Sequence, residues 1–183
     1  WNDVLFGNAG STQHDLSLSG GTEKNLYRLS LGYLYDGSNL MWGNNNNQRY
    51  NIRLTNKIQL LDWFKLESVI AYNRQDQVAP SRLNETLTGS YPQPGLPATT
   101  IDGKPYAWGS WVSPVWYAEL GGDNRLKVSE VNISEKFTFN LAKGLDLVAN
   151  AGYNTSNASR DIMKMAITSY NYAGTKVNTS PAV

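Results

Sequence analysis

Residues 19–35 read Ser19-Gly20-Gly21-Thr22-Glu23-Lys24-Asn25-Leu26-Tyr27-Arg28-Leu29-Ser30-Leu31-Gly32-Tyr33-Leu34-Tyr35. The first half is a turn: two glycines permit positive φ, and Thr, Glu and Lys are at home in solvent. The second half alternates. Tyr27, Leu29, Leu31, Tyr33 and Tyr35 share one face, while Arg28, Ser30 and Gly32 share the other, with Leu26 and Leu34 near its ends. Period two predicts a β-strand with one apolar face. This strand starts and ends in tyrosine on its apolar side. That is unusual for a soluble core strand and ordinary for one crossing a bilayer, where aromatic rings settle at both interfaces.

The same alternation recurs on either side. Leu16 and Leu18 oppose Asp15, Ser17 and Ser19, which predicts a strand over 13–19 before the turn and one over 26–35 after it. Asp36 to Asn47 is a loop of Gly, Ser and Asn that carries Met41 and Trp42. A hairpin follows, with strands over 48–60 and 63–74. On its apolar face lie Tyr50, Ile52, Leu54, Ile58, Leu60, Phe64, Leu66, Ile70 and Tyr72, with Asn56 as an exception. Residues 75–125 form a long connection holding most of the prolines and the aromatics Tyr91, Tyr106, Trp108, Trp111, Trp116 and Tyr117. A second hairpin is predicted over 127–141 and 145–153. Val131, Ile133, Phe137, Phe139, Leu147, Ala149 and Tyr153 are on its apolar face, and Glu135 interrupts it. A bulge at Glu135 would turn that carboxylate inward. Residues 154–159 read as a polar turn, 160–172 as a possible further strand with mixed faces, and 175–183 as a frayed end.

The connections thus run short, long, short, very long, short. In an antiparallel meander this puts every short turn at one end and every long loop at the other, as outer-membrane barrels do. The chain has 183 residues, net charge +1 and no cysteine. That charge gives no reason to expect nucleic acid, and the absence of cysteine excludes a disulfide framework or thiolate metal site. No run approaches the roughly 18–20 apolar residues of a membrane helix. A membrane-spanning reading therefore requires a closed barrel. The expected class is all-β: an antiparallel up-and-down meander, a partial segment of a transmembrane β-barrel over residues 1–183. The chain starts at Trp1, and it reads as a fragment of a longer polypeptide.

Several stretches together resemble the barrel of SusC/RagA-type TonB-dependent outer-membrane transporters of Bacteroidetes. They are Trp1-Asn2-Asp3-Val4-Leu5-Phe6, His14-Asp15-Leu16-Ser17-Leu18-Ser19-Gly20-Gly21-Thr22-Glu23-Lys24 and Tyr27-Arg28-Leu29-Ser30-Leu31-Gly32-Tyr33. Arg49-Tyr50-Asn51-Ile52-Arg53-Leu54 with Asp62-Trp63-Phe64-Lys65-Leu66, and Lys143-Gly144-Leu145 with Gly152-Tyr153, look like later hairpins of the same family. The resemblance implies a plugged barrel of about 22 strands. It also implies uptake of oligosaccharides or peptides driven by TonB, with a SusD-like lipoprotein over the extracellular mouth. It implies a multi-pass protein of the bacterial outer membrane. The chain has neither a recognisable TonB box nor a plug, so energy coupling and gating fall on no residue here.

No catalytic, cofactor or metal site is expected, and the protein is not read as an enzyme. His14 is the only histidine, and Asp76, Glu85, Asp102, Glu119 and Asp123 are scattered over loops without a paired spacing. Arg28, Arg49, Arg53, Lys57, Lys65 and Glu67 fall on the polar face, as a solvated lumen wall or as an electrostatic lining that biases which solutes pass. Tyr33, Tyr35, Tyr50, Tyr72 and Tyr153 are expected as an aromatic girdle in contact with membrane lipid, with Tyr27, Phe64, Leu141 and Leu145 marking the other interface. Trp108, Trp111 and Trp116 stack on sugar rings or on a lipoprotein partner, or they form the private core of their loop. The need of any ordered loop for its own apolar contacts favours the last. The alternative class is a soluble β-sandwich that binds carbohydrate, with the apolar faces as its core.

Overall fold

The computed structural model describes residues 1–89, 95–109 and 111–180. Tyr91, Pro92 and Pro94 of the long connection, and 181–183 of the expected frayed end, lie outside the described residues. The chain opens with a single helical turn, α1 (Asn2–Leu5), followed by β1 (Ser11–Thr22), β2 (Asn25–Gly37), β3 (Asn46–Leu61) and β4 (Phe64–Pro80). The long connection carries a π-helical turn (Glu85–Gly89), the two-residue strands β5 (Ala107–Trp108) and β6 (Trp111–Val112), and helix α2 (Pro114–Leu120). Then come β7 (Asp123–Ala142), β8 (Leu145–Ile162), β9 (Ile167–Tyr170) and β10 (Lys176–Ser180).

Six strands form one antiparallel sheet in the order β1-β2-β3-β4-β7-β8, an up-and-down meander. The sheet does not close on itself: among the described residues, the outer edges of β1 and β8 have no strand beside them. Among the described residues no second sheet packs on its apolar face, which is not the arrangement of a sandwich. Leu16 is 67% exposed, and Leu18, Ile52, Ile70 and Leu147 are exposed too. An apolar face of this size is not left to water in a stable soluble domain.

The strands outrun the sequence expectation at the long-loop end. β4 continues six residues past Arg74, and β7 begins at Asp123, within the expected loop. The expected turn at 154–159 is instead the middle of β8, paired throughout with β7 from Ala142↔Leu145 to Asn124↔Ile162. The expected strand over 160–172 does not exist as such. Residues 160–162 end β8, and β9 pairs separately with β10, so the expected frayed end is a strand as far as Ser180. For β4, β7 and β8 the physical reason is common. Beyond the apolar band both faces of a strand are wet, so alternation disappears while the backbone ladder continues. A reading based on hydrophobic period therefore stops too early.

The buried core lies in the loops, not in the sheet. Leu5, Leu40, Val115 and Ala118 are buried together, with Trp1, Phe6, Trp42, Leu83, Ala98 and Trp116 packed around them. Helix α2 begins with Pro114 at its first turn, where the missing N–H costs nothing. The described part of the long connection thus forms a packed cap, and Ser81, just past β4, donates to the Gly121 carbonyl at 2.6 Å.

Candidate functional site

The ladder fixes which side chains share a level. Leu29 pairs with Leu54, Leu54 with Ile70, Ile70 with Ile133 and Ile133 with Tyr153, one continuous apolar rung. One rung nearer the long loops lie Leu31, Ile52, Tyr72 and Val131, and one further are Tyr33, Tyr50 and Arg74. Tyr35 is a rung beyond Tyr33 on β2. The five tyrosines therefore descend as a staircase: Tyr35 and Tyr33 on β2, Tyr50 on β3, Tyr72 on β4, Tyr153 on β8. Tyr33 and Tyr50 are neighbours with ring centroids 5.2 Å apart, and Tyr153 is 61% exposed, so they do not form a closed core.

At the short-turn end the aromatics are denser than the sequence reading foresaw. Phe64 stacks on Phe139 at 4.8 Å and on Phe137 at 6.5 Å, and Trp63 lies 6.3 Å from Phe139. Trp63, Phe137 and Phe139 were not among the expected interface markers. Aligning the turns at Asp62-Trp63 and Lys143-Gly144 across the β4–β7 pair brings them together, since Phe64 and Phe139 are register partners.

Glu135 is on the apolar face, and the register runs unbroken through it; the irregularities lie at Gln59/Leu61 and Asn140/Ala142. The expected bulge is absent. Ser68, its partner across the ladder, donates a short hydrogen bond to the Glu135 carboxylate, and Asn56 shares the rung. Three polar residues side by side let the ladder pass without a kink, because the carboxylate finds a donor in place rather than by turning inward.

The other face is polar. Arg28, Arg49, Arg53, Lys57, Lys65 and Glu67 all lie on it, opposite the apolar residues in the ladder. Two environments divide them. Glu67 sits between register neighbours Lys57 and Lys136, with contacts of 3.0 and 3.7 Å, so this rung neutralises itself in part. Arg28 and Arg53 line a depression of about 480 Å³ together with polar residues such as Asp15, Asn51 and Asn73 and the apolar Leu16, Leu31 and Ile52. Among the described residues, no carboxylate comes within ion-pair distance of either guanidinium. Arg49 lines an adjoining depression with Asn51, Asn73, Gln75 and Glu130.

The three loop tryptophans separate. Trp116 donates its indole N–H to the Ala98 carbonyl at 2.8 Å and packs on Trp42, and Trp111 lies edge-on to Trp1 and Tyr106. Both belong to the loop core. Trp108 projects from the β5–β6 turn, 68% exposed. The residue type was the same in all three cases, and only the contacts distinguish them.

No family model matches the chain, and no curated protein matches it. Among solved structures the chain is similar to one in the structure of the RagAB peptide importer in its closed-closed state, at 21% identity and a TM-score of 0.70. The likeness covers 90% of this chain and 20% of that one. The chain spans about a fifth of that neighbour's length, and at this identity the likeness establishes the fold: an open six-stranded antiparallel meander of the kind found within the importer's chain.

Proposed function

We propose that this chain is part of the wall of a TonB-dependent outer-membrane transporter of SusC/RagA type, spanning the membrane many times. The cargo is an oligosaccharide or a peptide, taken up with a SusD-like lipoprotein. The role is transport rather than catalysis. Likeness in fold to a peptide importer supports this reading, as does the sequence resemblance to the family.

The observation that carries it is the slope of the aromatic staircase. In a tilted barrel a hydrogen-bonded rung is inclined to the membrane, so residues at one depth must step down the ladder from strand to strand. From Tyr33 on β2 to Tyr153 on β8 the step is two rungs. That is about 13 Å along the strands over about 19 Å across them, an inclination of about 35°. Between the outer markers, Tyr35 to Tyr153 and Tyr27 to Leu145, the step is three rungs at both boundaries, a steeper inclination of about 46°. Strand tilt in such barrels is about 35–45°. Tyr27 to Tyr35, Phe64 to Tyr72 and Leu145 to Tyr153 each span eight residue steps. Eight steps are about 27 Å of strand and about 19–22 Å of depth after tilt, the order of the roughly 25 Å apolar band of outer-membrane barrels. In a soluble sheet nothing ties boundary aromatics to such an incline.

The test is the full-length polypeptide. Its reading frame is expected to carry a plug-like domain upstream and many further β-hairpins downstream, and its product to fractionate with outer membranes. A frame bounded near Trp1 and Val183, or a product recovered in the soluble fraction, sinks the reading.

A further inference from the structure

We propose that the loops above the sheet are latched into one unit through Gly43 and Gly122. This unit opens as a whole or not at all, so no single loop of it swings free as a gate. Every contact involved is already made within the chain, so the latch is the same whatever the cargo. Four stretches meet there: 1–7 before β1, 38–45 between β2 and β3, 114–122 between β4 and β7, and 163–166 after β8. Gly7 donates its N–H to the Asn39 carbonyl at 2.7 Å, and Met41 to the Leu5 carbonyl at 2.9 Å. The Trp42 indole N–H reaches the Val4 carbonyl at 2.6 Å. These bonds join the first stretch to the second. The Gly43 N–H donates to the Glu119 carboxylate at 2.8 Å and joins the second to the third. The Met165 N–H donates to the Gly121 carbonyl at 2.9 Å and joins the fourth to the third, while Ser81, just past β4, donates its N–H to the Gly122 carbonyl at 2.8 Å.

Two of these joints need a glycine. Gly43 has φ +74° and Gly122 has φ +90°, a region that other residues enter only at a cost. A Cβ at Gly43 would fall on the Ala118 carbonyl and against Pro80, and one at Gly122 on the Met163 carbonyl and against Met165. The backbones come this close because no side chain stands between them. Gly103 is the internal contrast: its φ is also +74°, yet a Cβ there would meet nothing within 4 Å. The core beneath the joints is shared as well. Leu5 comes from the first stretch, Leu40 from the second, and Val115 and Ala118 from the third. Arg82, 7% exposed, donates to the Met165 carbonyl at 3.3 Å and adds a tie to the fourth. Releasing 38–45 alone would uncover Leu40 and the faces of Leu5, Val115 and Ala118 that it covers, and would break the bonds on both sides of it. Opening one stretch therefore forfeits most of what opening all four forfeits, and that is the condition for a cooperative unit.

Hydrogen exchange, read by mass spectrometry on the full-length polypeptide in detergent, tests this over peptides covering the four stretches and 99–105. Gly43→Ala and Gly122→Ala are each expected to speed exchange in all four stretches together by about tenfold, a size suited to a side chain forced into a left-handed position. Gly103→Ala imposes the same backbone strain without a joint and should change 99–105 alone. Trp42→Phe keeps a ring in place and loses the bond to the Val4 carbonyl. It should speed the four stretches together by about threefold, and it decides the matter if the glycine variants do not fold. Faster exchange confined to the stretch that carries the substitution overturns the proposal. So does an equal effect of Gly103→Ala on all four stretches, or exchange unchanged in Gly43→Ala and Gly122→Ala. A wild type in which 38–45 exchanges freely while the other three are protected overturns it too. Outer-membrane fractionation of the same wild-type protein tests the transporter reading separately, so that either can fail without the other.

Discussion

Single side chains carry the sharpest contrasts in this molecule. Trp116 and Trp108 lie in one loop cap, yet Trp116 is hydrogen-bonded and packed while Trp108 is open to solvent. Trp116→Ala is expected to cost about 2–4 kcal/mol of cap stability, somewhat below the usual loss for a fully buried tryptophan because Trp116 is half-buried. Trp108→Ala should stay within about 0.5 kcal/mol. Hydrogen exchange across 95–120 in the full-length protein reads the difference: protection falls in the first variant and holds in the second. Glu135 provides another residue-scale test. A lysine on a lipid face near the midplane costs about 2–4 kcal/mol, and an acid less. Glu135→Lys should therefore destabilise the barrel in vesicles by the difference between the two, less than the full lysine cost, whereas Lys136→Glu, one residue along and on the lumen face, should not carry the midplane cost. Equal, small effects at both positions would mean that the Glu135 side does not face hydrocarbon.

Elements behave as the turn chemistry demands. Gly144, in the turn after β7, has φ +82°, and Gly21 has φ +144° inside β1, which runs through the expected Gly20-Gly21 turn to Thr22. A side chain at Gly144 meets no neighbour, while one at Gly21 would come within 1.9 Å of the Asn25 carbonyl oxygen. Gly144→Ala is expected to cost about 1 kcal/mol, from conformation alone. Gly21→Ala should cost clearly more, since the β1–β2 turn must also move. Denaturant unfolding of the two variants in the same detergent ranks them, and the reverse order would mean that the β1–β2 turn adopts another geometry. Strands β1 and β8 raise a different matter. Both present long unpaired edges. With those edges and an open apolar face, residues 1–183 alone should aggregate in water. A monodisperse, detergent-free monomer with a sharp cooperative melt would contradict that.

At the scale of the whole molecule, the proposal orients the sheet in a membrane. The short turns lie on the periplasmic side and the loop cap outside. This stretch has no cysteine, so with any cysteine elsewhere in the polypeptide replaced, introduced thiols report sidedness. In intact cells expressing the full-length polypeptide, Asn45→Cys in the 38–45 connection should react with an impermeant maleimide. Asp62→Cys, in the turn between β3 and β4, should react only after the outer membrane is opened. Labelling in the opposite pattern would invert the orientation, and equal labelling of both sites would remove the membrane from the account.

The sequence by itself determined the strand alternation, the three short turns, the polarity of each face and the all-β meander. Each of these depends on residues close in the chain: glycines that accept positive φ at Gly21 and Gly144, and side chains that alternate faces with period two. It also marked the residues of the tyrosine staircase and of the cationic face. What only the tertiary structure decided involves contacts between distant residues. The outer ends of β4, β7 and β8 persist through backbone pairing where no hydrophobic pattern remains, as in Asn124↔Ile162. The order within the long loop comes from Leu5, Leu40 and Val115 meeting across the chain. Trp108 parts from Trp111 and Trp116 by contact alone. Glu135 keeps its place on the apolar face because Ser68, far away in sequence, stands beside it with a donor. Local periodicity determines which way a side chain points. Register determines what it meets, and register is a property of strand pairs.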